Sequence, residues 1–219
     1  MFNDKIEPII IGSLKITDKK TGEVLVKKRN AIHQGNMAYI IASALAGEPT
    51  SVNPEGGMPY INWMAFGNGG STSTTTLSYK SPNVSTIYDQ QPMSASIAKL
   101  YSKTYEQQVD KEVFFPGQSL GNDEYIPAST SKIKFSLDID HDAVSVATGQ
   151  TTPENDSSTD AAAVEAFTFD EIGLVAGVTN AGSLDESKSL LVTHVTFHPV
   201  LLSANRTISI EYTITIQLG

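Results

Sequence analysis

The chain has 219 residues, 40% of them hydrophobic and 18% charged, which suits a globular protein with one large β domain or two small ones. Its 24 acidic against 15 basic residues give a net charge of -9, arguing against direct binding to nucleic-acid phosphates or anionic lipid; Lys27-Lys28-Arg29 is its densest basic run. The lack of cysteine excludes disulfides, thiolate metal sites and cysteine nucleophiles, and neither a signal peptide at Met1–Pro8 nor an apolar run of membrane-spanning length is visible.

Ile9 to Thr17 and Glu23 to Lys28 read as the two strands of a hairpin. Its turn, Asp18-Lys19-Lys20-Thr21-Gly22, puts a glycine where a positive φ is needed. Residues 34–46 are predicted helical, because Met37, Ile40, Ile41, Ala44 and Leu45 fall on one face, and Gly47 and Pro49 end the run. A Pro/Gly/Asn loop follows over 48–59. Tyr60 to Phe66 reads as a strand running into Gly67-Asn68-Gly69-Gly70 and a Ser/Thr tract, with polar loop character to about residue 92. From Tyr101 onward, Tyr101, Lys103, Tyr105 and Gln107 alternate with Ser102, Thr104 and Glu106 as a strand does.

Lys132 to Asp140 is a strand with Ile133, Phe135, Leu137 and Ile139 on one face. The stretch 148–160 is nearly devoid of apolar residues and reads as an exposed loop. Phe167 and Phe169 open a strand that passes through Glu171-Ile172-Gly173-Leu174, and a small polar loop spans Thr179 to Lys188. After Leu190 to Pro199 and a polar break at Ser203 to Arg206, the chain closes on a long alternating run. Ile208, Ile210, Tyr212, Ile214, Ile216 and Leu218 lie on one side, Thr207, Ser209, Glu211, Thr213, Thr215 and Gln217 on the other. Many short strands, long polar loops and one short N-terminal helix predict a mainly β chain. The expected architecture is a single antiparallel β-sandwich, jelly-roll-like, over residues 1–219.

Motifs that could carry chemistry are each read against a plainer role. Gly117-Gln118-Ser119-Leu120-Gly121 matches a nucleophile elbow, but that motif needs a strand before it and a helix after it, and Asn122-Asp123-Glu124 offers no helical period. A loop serine between turn glycines is expected. Asp138, Asp140 and Asp142 stand at alternate positions like the first ligands of a calcium loop, without its glycine or distal glutamate. On a continuing strand such carboxylates are about 7 Å apart, too far to share an ion. A charged outer face is expected, with these aspartates as weak metal candidates. His194 and His198 are about 13 Å apart along a strand and cannot ligate one metal from within it, so a surface role is expected. Gly67 to Ser71 lacks the Gly-Lys-Ser/Thr ending of a phosphate loop and reads as a tight exit from a buried strand. Trp63 is expected in the core, with stacking on a sugar as the alternative. No catalytic residue, metal site or cofactor is assigned.

Three segments carry a resemblance. Asn30 to Gly47 offers a turn and an apolar helix. Ile61-Asn62-Trp63-Met64-Ala65-Phe66-Gly67-Asn68-Gly69-Gly70 leads to a Ser/Thr tract ending at Leu77. Phe169-Asp170-Glu171-Ile172-Gly173-Leu174 precedes Leu190 to Phe197 and the last strand, Ile208 to Leu218. In this order they resemble virion structural proteins of tailed double-stranded DNA bacteriophages. There a helix, an a-x-G-x-G strand end, an E-I-G-L strand and a final alternating strand recur. The resemblance implies a non-enzymatic component of head, neck or tail, with packing and turn roles for the motif residues. The expected role is a head decoration or neck protein, made in the host cytoplasm and resident in the virion. Its expected partners are other virion subunits and copies of itself, with no nucleic-acid or membrane contact. A tail or baseplate subunit is the near alternative, and a carbohydrate-binding sandwich the alternative of another class. The N-terminal stretch Met1 to Gly12, with contiguous Ile9, Ile10 and Ile11, is the candidate contact arm; an edge strand of its own sandwich is the plainer reading.

Overall fold

The computed structural model describes residues 8–47, 60–73, 76–84, 98–118, 120–121, 124–140, 144, 166–180, 182–203 and 206–218. Residues 1–7 of the expected arm, the 48–59 and 148–160 loops, Ser119 and Asp142 lie outside them. In chain order the elements are β1 (Pro8–Asp18), β2 (Val24–Arg29), β3 (Ala31–Ile32), α1 (Gln34–Ala46), β4 (Ile61–Gly67), β5 (Ser71–Ser73), β6 (Leu77–Tyr79), β7 (Lys103–Gln108) and β8 (Lys111–Phe115). They continue with β9 (Leu120–Gly121), β10 (Glu124–Tyr125), β11 (Thr130–Asp140), β12 (Ala166–Ala176), β13 (Thr179–Asn180), β14 (Ser183–Leu184), β15 (Leu190–Leu191), β16 (Thr193–Ser203) and β17 (Thr207–Leu218).

Two antiparallel sheets form the sandwich-like fold that the alternating runs predict. The first has the order β2-β1-β17-β11-β8; the second runs β3-β16-β12-β4-β7, with β15 also on β12. The last strand is the centre of the first sheet. β17 pairs with β1 from Pro8↔Leu218 to Asp18↔Ile208, and with β11 from Thr130↔Gln217 to Asp140↔Thr207. Its inward row, Ile208 to Ile214, is buried with Leu14 and Ile16 of β1 and Phe135, Leu137 and Ile139 of β11. The same apolar cluster takes Met64 and Phe66 from β4, Phe169, Ile172 and Leu174 from β12, and Phe197 from β16. Each such fully buried side chain contributes about 1.5–3 kcal/mol of transfer free energy.

The hairpin turn forms as expected, with Gly22 at φ +74. The Asp18 carboxylate holds it by accepting the N–H groups of Lys20 (2.9 Å) and Thr21 (3.0 Å) and Arg206 Nε (2.7 Å). β4 is buried along its whole length, which explains why, Asn62 apart, it is apolar on both faces instead of alternating. One of its faces joins the main core. The other, Trp63 and Ala65, packs with Ala98, Leu100, Val175, Leu184 and Leu191 in a second apolar cluster.

The helix occupies the expected residues, capped by the His33 ring, whose Nδ1 accepts from the Asn36 N–H (3.0 Å), and ended by Gly47 at φ +65. Its last turn departs from expectation. Met37, Ile40 and Ile41 face the core, but Leu45 is 85% exposed, because nothing described packs over the helix end. Short hairpins β5–β6 and β13–β14 occur where composition reads as polar loop, and β8 adds an edge strand that apolar period does not announce.

Candidate functional site

The most elaborate polar arrangement among the described residues is buried and lies on β12. Asp170 and Glu171 interrupt an apolar strand at the point where its register against β16 shifts. Asp170 Oδ1 accepts the Gly70 N–H (2.7 Å), and Oδ2 accepts the Ser71 N–H (2.8 Å) and hydroxyl. Glu171 Oε1 accepts the N–H groups of Gly69 (3.1 Å) and Ser102 (2.7 Å). Its Oε2 accepts the Tyr101 N–H (2.8 Å) and His194 Nε2 (2.9 Å). The Asn83 N–H donates to His194 Nδ1 (2.7 Å), so the proton of the neutral ring sits on Nε2 and points at Glu171.

Gly69, Gly70 and Ser71 thus present their N–H groups to internal carboxylates. A Cβ at Gly67 would meet Glu171 Oε1 at 2.4 Å, and one at Gly173 would meet the Thr193 carbonyl oxygen at 2.4 Å. The glycines on either side of Glu171 let β4 and β15–β16 close around it. All four acceptor directions of Glu171 are filled and its side chain is shut off from solvent, so the arrangement is a structural clamp with no place for a substrate.

Burial opposes ionisation of Glu171, but the His194 hydrogen bond and the Ser102 and Tyr101 N–H groups overcome it and hold the carboxyl below its ordinary value of 4.5. Burial likewise lowers His33 from its ordinary 6.5. Both groups have folded values below their unfolded ones. Their stabilisation is full above the unfolded value and is lost as pH falls through the folded one. Denaturant midpoints measured against pH are therefore expected to start falling below 6.5, with a further loss below 4.5. His33→Asn keeps a good helix cap and is expected to remove the first fall; a first fall unchanged in that variant would rule His33 out as its source.

The expected surface position of His194 is corrected: the ring is fully buried, because β16 is covered here by residues 80–83 and by Tyr101. His198 does lie at the surface, with Nδ1 3.2 Å from the Tyr79 hydroxyl. Around it is a cationic and aromatic patch. Lys28 Nζ sits 5.0 Å from the Tyr79 ring centre and Lys80 Nζ 4.6 Å from that of Tyr101. Among the described residues neither lysine is paired with a carboxylate. Trp63 is in the core as expected, so it offers no open face to a sugar.

Asp138 and Asp140 share the outward face of β11. Asp138 accepts from Lys19 Nζ (2.8 Å), and its own N–H donates to the Asp110 carboxylate (2.7 Å). No group of three His, Cys, Asp or Glu side chains able to hold a metal ion occurs among the described residues. Gly117 and Gln118 form a turn, and Leu120–Gly121 continues as β9 against β10, so strand follows Ser119 where an elbow needs a helix.

Ile9, Ile10 and Ile11 are part of β1, paired with Gln217, Ile216 and Thr215 of β17. Their stretch belongs to the chain's own sheet, where β1 lies between β2 and β17, before the residues that β2 pairs with. Ile9 and Ile11 are exposed, and Ile10 and Ile11 line a groove between β1 and α1. The sequence reading missed the clamp entirely. Its available signal was two acids inside the apolar run Phe167–Ala176 and a histidine between Thr193 and Val195.

Comparison with protein-family models, curated proteins and solved structures finds no match.

Proposed function

We propose that this chain is a non-enzymatic structural subunit of a tailed double-stranded DNA bacteriophage, a head decoration or neck component that binds neighbouring virion proteins. The observation that carries the reading is the ordered resemblance of helix, strand end, E-I-G-L strand and final alternating strand. It is supported by what those residues do here: Glu171 and Gly173 clamp and pack, and Ile208 to Ile214 fill the core. Contacts with neighbours run through surface the sandwich leaves open, namely the edge strand β8 with exposed Phe114, the first half of β1, and the Tyr79–Tyr101 patch. In a particle with many copies, individually weak contacts of this kind add by multivalency.

The test is to separate purified particles into heads and tails and identify the chain in each fraction by mass spectrometry. Recovery with heads is the expected result. Recovery with tails moves the assignment to a tail or baseplate subunit. Absence from both overturns the virion reading and leaves sugar binding to be tested at Tyr79 and Tyr101, the exposed aromatics of the patch.

A further inference from the structure

Three polar side chains converge in the layer between the two sheets. Gly12 belongs to the buried row of β1 with Leu14 and Ile16, directly opposite Ile214 of β17. A Cβ at Gly12 would overlap the Asn30 carboxamide. That carboxamide therefore fills the space a side chain at residue 12 would take, and it enters the layer from the crossover between β2 and β3. Tyr212, on the same inward row of β17 as Ile214, is fully buried. So is Thr193, at the start of β16 in the facing sheet.

Their hydrogen bonds are incomplete. Asn30 Oδ1, Asn30 Nδ2 and the Tyr212 hydroxyl are shut off from solvent, and among the described residues none of them has a partner. The Thr193 hydroxyl accepts the Leu174 N–H (2.9 Å), which leaves its own hydrogen to give. Thr193 and Asn30 stand close enough to the Tyr212 hydroxyl to oppose the rise that burial imposes on its pKa. Neither completes a hydrogen bond with it. Buried polar groups are costly to leave unmatched. A direct bond from Tyr212 to the carboxamide would satisfy one end of Asn30 and leave the other end orphaned.

We infer that one water molecule is held inside the protein at this point, bridging Tyr212, Asn30 and Thr193. Water supplies what each side lacks. Its oxygen accepts from Asn30 Nδ2 and from one of the two hydroxyls, and its hydrogens go to Asn30 Oδ1 and to the oxygen of the other hydroxyl. That makes about four bonds, the upper end of what a buried water usually forms. All three side chains are neutral, so they suit a neutral occupant and offer no charge to hold an ion. The water joins the central strand of the first sheet, a strand of the second and the crossover between them.

A high-resolution crystal structure of the full chain tests this directly. One ordered water within hydrogen-bond distance of Tyr212 Oη, Asn30 and Thr193 is expected. In solution, oxygen-17 relaxation dispersion counts waters with long residence inside a protein. Asn30→Leu is expected to lower that count by one. Tyr212→Phe keeps the ring in the core and is expected to shorten the residence of the same water about fivefold, the equivalent of one ordinary hydrogen bond. A direct Tyr212–Asn30 bond with no water beside it, or a long-lived population that neither substitution changes, overturns the inference. The site is independent of the virion reading: a chain absent from particles keeps its water, and a particle protein without the water loses only this site.

Discussion

Replacing Glu171 with glutamine is expected to destabilise the fold by about 2–6 kcal/mol, because two buried donors lose their acceptor at about 1–3 kcal/mol each. The shape is kept, so the loss is electrostatic and directional. Four N–H groups point at this carboxylate, those of Gly69, Ser102, Tyr101 and His194. An amide has one acceptor end and one donor end. Whichever way it turns, two of those donors meet an NH2 group, at about 1–3 kcal/mol for each buried group left unsatisfied. His194 cannot adapt by changing tautomer, because its Nδ1 already accepts from Asn83. Urea unfolding should show a lower midpoint with an unchanged slope. A loss under about 1 kcal/mol would mean that water or a small shift satisfies the freed donors, and the clamp would lose its role as a keystone.

Phe169→Ala is expected to cost about 3–5 kcal/mol through the cavity it leaves. The ring is fully buried at the meeting point of three others. Phe66 and Phe197 meet it edge-on at 5.4 and 5.7 Å, and Phe167 stacks on it at 5.7 Å. These belong to three strands of the second sheet, β4, β16 and β12, so collapse around the hole would have to move all three together. Aromatic pairs in these geometries add about 0.5–1.5 kcal/mol each beyond their area. The expected result is a thermal midpoint well below that of the parent with a cooperative transition retained. A change within about 0.5 kcal/mol, the usual scale of surface substitutions, would place Phe169 outside the stability-determining core.

Strand period alone identified the long elements of the first sheet. β1, β11 and β17 each bury one face and wet the other, and that arrangement is written residue by residue as alternation. Gly22 and Gly47 marked the hairpin turn and the helix end because a positive φ excludes most other residues there. Local pattern could not say which strands would be neighbours, and every feature that depends on a neighbour was decided by the tertiary structure. Glu171 is buried because residues about 70 and 100 positions earlier bring N–H groups to it. His194 is buried because residues 80–83 and Tyr101 lie over it, whereas His198, four residues on in the same strand, stays exposed. Leu45 carries the helical spacing of a core residue yet stands exposed, because among the described residues nothing packs over the helix end. Sequence determined which side chains should avoid water. Only the packing of one sheet and its loops on the other decided which polar groups would share that interior, and which apolar ones would be left outside it.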